Sequence, residues 1–200
     1  DWGIRMVQMG IWKPVSVLFF DDARIDDYYV KQVSVNAQQA RIDNQIEIIS
    51  VAEQPVHATL SVAYRTKESE PGKAEKKVTL RKGKNIVSLP LEITAPRLWM
   101  PAHWGEQHLY DFTAQVLVGD SVVAEKTVRT GLRSIRHITK EDAHGSSFYF
   151  EVNGIPLFAK GSNYIPGEIL TTQQDSAYYT KIFDHIEGAH MNMVRVWGGG

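Results

Sequence analysis

Apolar and polar positions alternate along much of this chain. From His57 to Tyr64, Ala58, Leu60, Val62 and Tyr64 fall on one side of an extended backbone, and His57, Thr59 and Ser61 on the other. Phe112 to Val118 repeats the pattern, with Phe112, Ala114, Val116 and Val118 opposed to Thr113 and Gln115. A repeat of two is the period of a strand with one buried face. Lys31–Val35, Gln45–Val51, Lys77–Leu80, Ile86–Leu91 and Ser121–Thr127 are strands by the same reasoning. Their connections carry turn residues, Pro71-Gly72, Lys82-Gly83-Lys84-Asn85 and Gly119-Asp120. Strands at this spacing predict an antiparallel sandwich, and Asp26 to Arg136 is the right size for an immunoglobulin-like one. The charged run Lys67–Lys77 reads as a solvated hairpin tip.

The flanks read differently. Val15–Phe20 predicts a strand whose partners lie upstream or elsewhere. Ser147–Glu151 and Ile155–Ala159 predict two strands about the hairpin signal Asn153-Gly154. Then the period becomes helical, with Tyr179, Ile182, Phe183 and Ile186 on one face after a cap among Thr171, Thr172 and Asp175. Met191–Trp197 is an apolar run broken only by Asn192 and Arg195, as buried parallel strands tend to be. Strand, helix and strand make a βαβ unit, whose sheet would be finished by residues outside these 200.

Composition narrows the function classes. Lys and Arg number 22 against 23 Asp and Glu, for a net charge of -1. That gives no electrostatic case for nucleic acid or an anionic membrane as partner. Without cysteine there is no disulfide, thiolate nucleophile or cysteine metal site. No apolar run approaches the roughly 20 residues of a membrane span, and no signal-peptide pattern occurs. The abrupt ends, Asp1-Trp2-Gly3 and Gly198-Gly199-Gly200, read as those of a piece of something longer.

Candidate chemistry gathers at the carboxyl ends of the two parallel strands, where α/β folds bind ligands. Lys160-Gly161-Ser162-Asn163-Tyr164-Ile165-Pro166 follows the first, and Trp197 with three glycines follows the second. Asn163 can donate to and accept from a hydroxyl, and Trp197 offers a flat apolar face to a sugar ring. The plainer reading has Trp197 filling a core and Asn163 capping a turn; the pattern leaves both open. The glycine triplet as the start of a dinucleotide fingerprint is a poor match, because no helix follows it. His103 and His108, like His185 and His190, lack the spacing of a zinc helix and read as structural. No G-x-S-x-G elbow occurs. Glu168 is the one acid near the strand ends. It reads as a loop or rim residue, whereas a retaining glycosidase needs two carboxylates about 5–5.5 Å apart.

Joined together, these motifs resemble a known family. Asp1-Trp2-Gly3 with Gly10-Ile11-Trp12-Lys13-Pro14-Val15 resembles the close of the first β-domain of glycoside hydrolase family 2 enzymes. Leu98-Trp99-Met100-Pro101 with Trp104-Gly105-Glu106-Gln107-His108-Leu109-Tyr110 resembles that family's P-x-L-W-x-P…Y strand pair. Gly131-Leu132-Arg133-Ser134-Ile135 is similar to its exit from the immunoglobulin-like domain. Phe148 to Gly154 and Phe158 to Asn163 resemble its F-x-x-N-G…K-G-x-N entry into a catalytic barrel. Within the family, Lys160–Pro166 and Asn192–Gly200 are most similar to β-mannosidases.

The resemblance implies a mainly β chain, an immunoglobulin-like β-sandwich followed by the first βαβ unit of an incomplete (β/α)8 barrel. Residues 1–25 would end a sugar-binding jelly-roll domain, 26–136 form the sandwich, and 137–200 begin the barrel. It implies a retaining, exo-acting parent with a β-mannoside as carbohydrate partner, with Asp1, Asn163 and Trp197 as substrate-binding residues. Asp1 resembles the aspartate of the family's W-D-W-G loop, and Tyr164 stands where many relatives have Trp. Both catalytic glutamates would lie beyond Gly200, so the chain itself is expected to be inactive, with no cofactor and no metal. The exposed edge of the incomplete barrel could join copies into an oligomer. Three alternatives stand beside this one: a galactosidase fragment, a glucuronidase fragment, and a non-catalytic module with Trp99 and Trp104 as a sugar platform. The compartment stays open among periplasmic, secreted and lysosomal.

Overall fold

The computed structural model describes residues 7, 9–11, 13–66, 71–165, 167–168 and 170–197. Seven strands form a sandwich: β1 (Ala23–Val35), β2 (Gln39–Ser50), β3 (Val56–Arg65), β4 (Gly72–Leu80), β5 (Gly83–Thr94), β6 (Tyr110–Val118) and β7 (Ser121–Thr130). One sheet has the order β1-β2-β5 and the other β4-β3-β6-β7, with every pairing antiparallel. The fourth strand thus joins β3, whereas constant-type immunoglobulin domains place it on the opposite sheet.

The alternating pattern places the core. Leu60, Val62, Phe112, Ala114 and Val116 are fully buried, facing Ile42, Ile46, Ile48, Leu89 and Leu91 of the other sheet; Val118 is only partly covered. Ser61 lies on the outer face of β3 and is nonetheless buried, because its cross-strand neighbours Glu75 and Gln115 are longer and flank it on both sides. Asn44 sits on the core face of β2 between Ile42 and Ile46. Its carboxamide accepts from the Tyr28 hydroxyl at 2.8 Å and donates to the Leu89 carbonyl at 3.0 Å. Burial pushes the Tyr28 phenol well above its ordinary pKa.

Three expectations need correction. Strand β1 begins at Ala23, far upstream of Lys31, because register shifts at Ile25/Asp27 and Gln32/Ser34 break the alternation that would have revealed it. Val15–Phe20 forms no strand, and Val15, Val17, Leu18 and Phe19 are exposed. No other described strand pairs with it, and an unpaired strand has nothing to hold it. Lys73–Lys77 belongs to β4, its lysines facing solvent, while residues 67–70 of the same charged run lie outside the described residues.

Beyond the sandwich come β8 (Ile135–Ile138), β9 (Glu141–Asp142), β10 (Gly145–Ser146), β11 (Tyr149–Val152), β12 (Ile155–Leu157), β13 (Gly161–Tyr164), a 3-10 turn at Thr171–Gln173, α1 (Ser176–Gly188) and β14 (Met193–Val196). β9 and β10 form a small hairpin, and β12-β11-β8 an antiparallel sheet. The β11–β12 turn has Asn153 at φ 51° and Gly154 at φ 80°, the left-handed pair that a two-residue hairpin of this twist requires. The first parallel strand is β13, not Ile155–Ala159, whose residues 155–157 run antiparallel to β11. Asp175 caps α1, accepting from the Tyr178 amide at 2.9 Å. At the other end His190, at φ 53°, takes the place glycine usually has, with its amide on the Glu187 carbonyl and that of Met191 on Ile186. No residue of α1 is buried, and Phe183 on its apolar face is 57% exposed.

Candidate functional site

The parallel pair β13–β14 carries the sequence's candidate residues, and its register decides which of them meet. Gly161 pairs with Met193, Ser162 with Val194, Asn163 with Arg195 and Tyr164 with Val196. Gly161 is glycine for a steric reason: a Cβ there would overlap the Met193 carbonyl, so only a bare Cα lets the strands approach. Asn192 extends the pairing by one step. Its side chain accepts from the Lys160 amide at 2.9 Å and donates to the Phe158 carbonyl at 3.1 Å. Its own amide donates to the Lys160 carbonyl at 2.9 Å.

Alternation along the strands puts Gly161, Asn163, Met193, Arg195 and Trp197 on one face. That face opens into a shallow cleft of about 280 Å³ lined by Ala159, Gly161, Ser162, Asn163, Met193 and Arg195. Asn163 lies within β13, not in a loop after it, and its side-chain oxygen accepts from Arg195 Nη1 at 3.1 Å. Asn163 therefore caps no turn. Trp197 follows β14, with its amide on the Tyr164 carbonyl at 3.0 Å. It is half-buried and not among the residues lining the cleft. Asp1 lies outside the described residues, as do Trp2, Gly3, Trp12 and Gly198–Gly200.

Arg195 is the residue the sequence reading missed. It appeared there only as an interruption of an apolar run, yet pairing with Asn163 brings a guanidinium to the open face. One of its five N–H donors goes to Asn163, and the group is exposed. An amide beside a guanidinium can donate to and accept from vicinal hydroxyls, the hydrogen-bonding pattern of a sugar. Tyr164 turns to the opposite face, where its ring centroid lies 6.4 Å from that of Tyr179 on α1.

Other candidates take structural places. The Glu168 carboxylate accepts from the Leu170 amide at 3.0 Å, and its carbonyl accepts from Gln174 at 2.8 Å, so it is a loop residue as expected. Trp99 packs against Gly131, where a Cβ would come within 2.6 Å of it, and the Arg133 guanidinium lies 4.8 Å from its ring. Trp99 is half-buried and Trp104 is 40% exposed. His103 and His190 meet edge to face at 4.9 Å. Among the described residues no cluster of three His, Cys, Asp or Glu could hold a metal ion, and no helix is long and apolar enough to cross a membrane.

Comparison with known proteins bears on the family. Residues 23–133, more than half the chain, match the profile of the Glycosyl hydrolases family 2. The chain is 28% identical to "Beta-mannosidase B" of Emericella nidulans over 202 residues and 30% identical to "Beta-mannosidase" of Mus musculus over 206. In each case the whole chain aligns, and it spans 23% of the relative's length. A solved structure, the β-D-mannosidase of Dictyoglomus thermophilum, superposes on 90% of the chain and 22% of its own, with TM-score 0.80 and 33% identity. The likeness thus covers the sandwich, its exit and the parallel pair together, and the chain belongs to glycosyl hydrolases family 2.

Proposed function

We propose that this chain is the segment of a retaining exo-β-mannosidase that joins the sandwich to the catalytic barrel, and that it does not hydrolyse glycosides alone. The observation that carries the reading is the parallel pair: Asn163 and Arg195 meet on one open face, in a chain that aligns along its whole length with β-mannosidases. In this reading β13, α1 and β14 are the first βαβ unit of a (β/α)8 barrel. Residues 1–25 close a preceding jelly-roll domain, 26–136 are the sandwich, and 137–200 begin the barrel. Asp1, Asn163 and Trp197 bind the terminal mannose, and Arg195 joins them.

The division of labour follows from the chemistry. Retention needs one carboxylate to form the glycosyl-enzyme bond and a second carboxylic acid to protonate the leaving oxygen. The open face presents an amide and a guanidinium, which can orient hydroxyls but cannot attack the anomeric carbon. Orientation by itself is worth rate only when the reacting groups share the pocket. The half-covered apolar face of α1 and the open strand edges support a sheet that continues, and the same edges could pair copies of the isolated chain. The test is hydrolysis of an aryl β-mannoside. The 200-residue chain should give no turnover at any pH, and a longer protein containing it should turn the substrate over. Turnover by the chain alone, abolished by Glu168→Gln, would overturn the assignment.

A further inference from the structure

We propose that the loop joining β5 to β6 is a splint that sets the position of β14, with Asn153 as its positioning residue; this rests on the sugar-site reading of Asn163, Arg195 and Trp197. Asn153 stands at the tip of the β11–β12 hairpin, and its carboxamide and backbone amide all bond outside the hairpin. Its side-chain oxygen accepts from the Ser134 amide at 2.9 Å, while its amide nitrogen donates to the Trp99 carbonyl at 2.9 Å and to Met100 Sδ at 3.0 Å. Its backbone amide returns a bond to the Ser134 carbonyl at 2.9 Å. One side chain therefore ties the hairpin to the sandwich exit and to the β5–β6 loop. These bonds are not needed for the turn, since glycine suits a φ of 51° better than asparagine does.

The loop is itself anchored in the sandwich. The Trp99 amide donates to the Leu132 carbonyl at 2.9 Å, and the Trp99 ring is held between Gly131 and Arg133. From there it reaches the root of β14 in two places. Trp99 and Pro101 form one wall of an apolar cleft of about 260 Å³, Phe150 and Leu157 of the hairpin line another, and Asn192 and Met193 close it. Farther along, His103 lies edge-on to His190 at the end of α1. Asn192, which lines the same cleft, is the residue that holds Phe158 and Lys160 to β14. A chain of neighbours thus runs from the sandwich through Trp99 and its loop to His103 and His190, five residues before Arg195 and seven before Trp197.

Two glycine variants of the 200-residue chain test this, each at a position whose positive φ glycine accepts. Asn153→Gly removes the ties to Ser134, Trp99 and Met100, and His103→Gly, at φ 67°, removes the contact with His190. Hydrogen exchange is read at the amides of Asn192, Met193 and Trp197, which donate to Lys160 and Tyr164 carbonyls. Loss of the side-chain bonds in Asn153→Gly should speed exchange there about tenfold, and His103→Gly should speed it in the same direction. Amides of β2 and β6 should stay within about twofold, since their opening follows the stability of the sandwich core. Unchanged exchange at β14 in both variants, or equal acceleration in β2 and β6, would overturn the splint. The unaltered chain titrated with methyl β-mannoside reads the sugar site separately. Shifts at Asn163 and Arg195 amides are expected, and their absence would remove the positioning role whatever the exchange rates are.

Discussion

Asn44→Ala tests whether a polar group in the middle of an apolar strand face is a structural requirement. Asn44 has no solvent exposure and Tyr28 has 4%. The substitution leaves the Tyr28 hydroxyl without its 2.8 Å acceptor and takes a 3.0 Å donor from the Leu89 carbonyl. An orphaned buried donor costs about 1–3 kcal/mol, and a lost neutral bond about 1 kcal/mol. The expected destabilisation is about 2–4 kcal/mol, a large part of the 5–15 kcal/mol that holds a typical domain together. For a sandwich of roughly 110 residues that corresponds to a Tm lower by about 8–16 °C. Tyr28→Phe removes one hydroxyl and should cost about 1–2 kcal/mol. Because both changes break the same bond, the double variant should be more stable than the sum of the singles by about 1 kcal/mol. Urea unfolding monitored by circular dichroism gives all four values. An Asn44→Ala protein within about 0.5 kcal/mol of the parent, or singles that simply add, would refute the reasoning.

Val116 is fully buried at the centre of β6, so Val116→Asp should unfold the sandwich, because a buried unpaired carboxylate costs several kcal/mol; an unchanged melting curve would show the strand phase to be wrong. Gly161→Ala should separate β13 from β14, since the new methyl meets the Met193 carbonyl, and loss of protection at the Met193 amide with an intact sandwich is the expected exchange pattern. Hydrogen bonds from Arg129 at 2.6 and 2.9 Å hold the Asp111 carboxyl below its usual range. The stability this lends is present above the unfolded pKa of about 3.9 and is lost as pH falls through the lower folded value. Asp111→Asn should therefore be less stable than the parent at neutral pH, and the difference should close at low pH; a gap that widened on acidification would contradict it.

How much of this was legible in the sequence depended on whether periodicity survived. It did in β3 and β6, where alternation named Leu60, Val62, Phe112 and Val116 correctly. It failed in β1, where two register shifts flip the facing of the side chains and hide eight residues of a 13-residue strand. It also failed to mark Asn44, because a polar residue at a core position carries no sign that Tyr28 and Leu89 wait across the sheet for it. At the site, local signals did well: Asp175 as a cap and Asn153-Gly154 as a turn are chemistry within a few residues. The misplaced first parallel strand has a physical cause. Ile155–Leu157 and Gly161–Tyr164 are both short strands, and only their partners, β11 for one and β14 for the other, distinguish them. Arg195 was missed for the same reason, since its meaning comes from a partner 32 residues away.

That partner is set by register, and the two motifs read separately in the sequence are the two halves of one lock. A slip by one residue would turn Asn163 toward α1 and bring Tyr164 to the open face, because successive side chains in a strand point to opposite sides. Two features oppose the slip. A slip would bring Lys160 or Ser162 opposite Met193, at the place where a Cβ meets the carbonyl that Gly161 lets approach. Asn192 then bonds the Lys160 amide and the Phe158 carbonyl, which no neighbouring side chain of β14 could do, since Met191 and Met193 carry neither a strong donor nor a strong acceptor. With glycine fixing the approach and asparagine fixing the step, Asn163 must stand opposite Arg195. The spacing from Gly161 to Asn163 matches that from Met193 to Arg195, and in this way a short parallel pair delivers an amide and a guanidinium to the same side of the sheet.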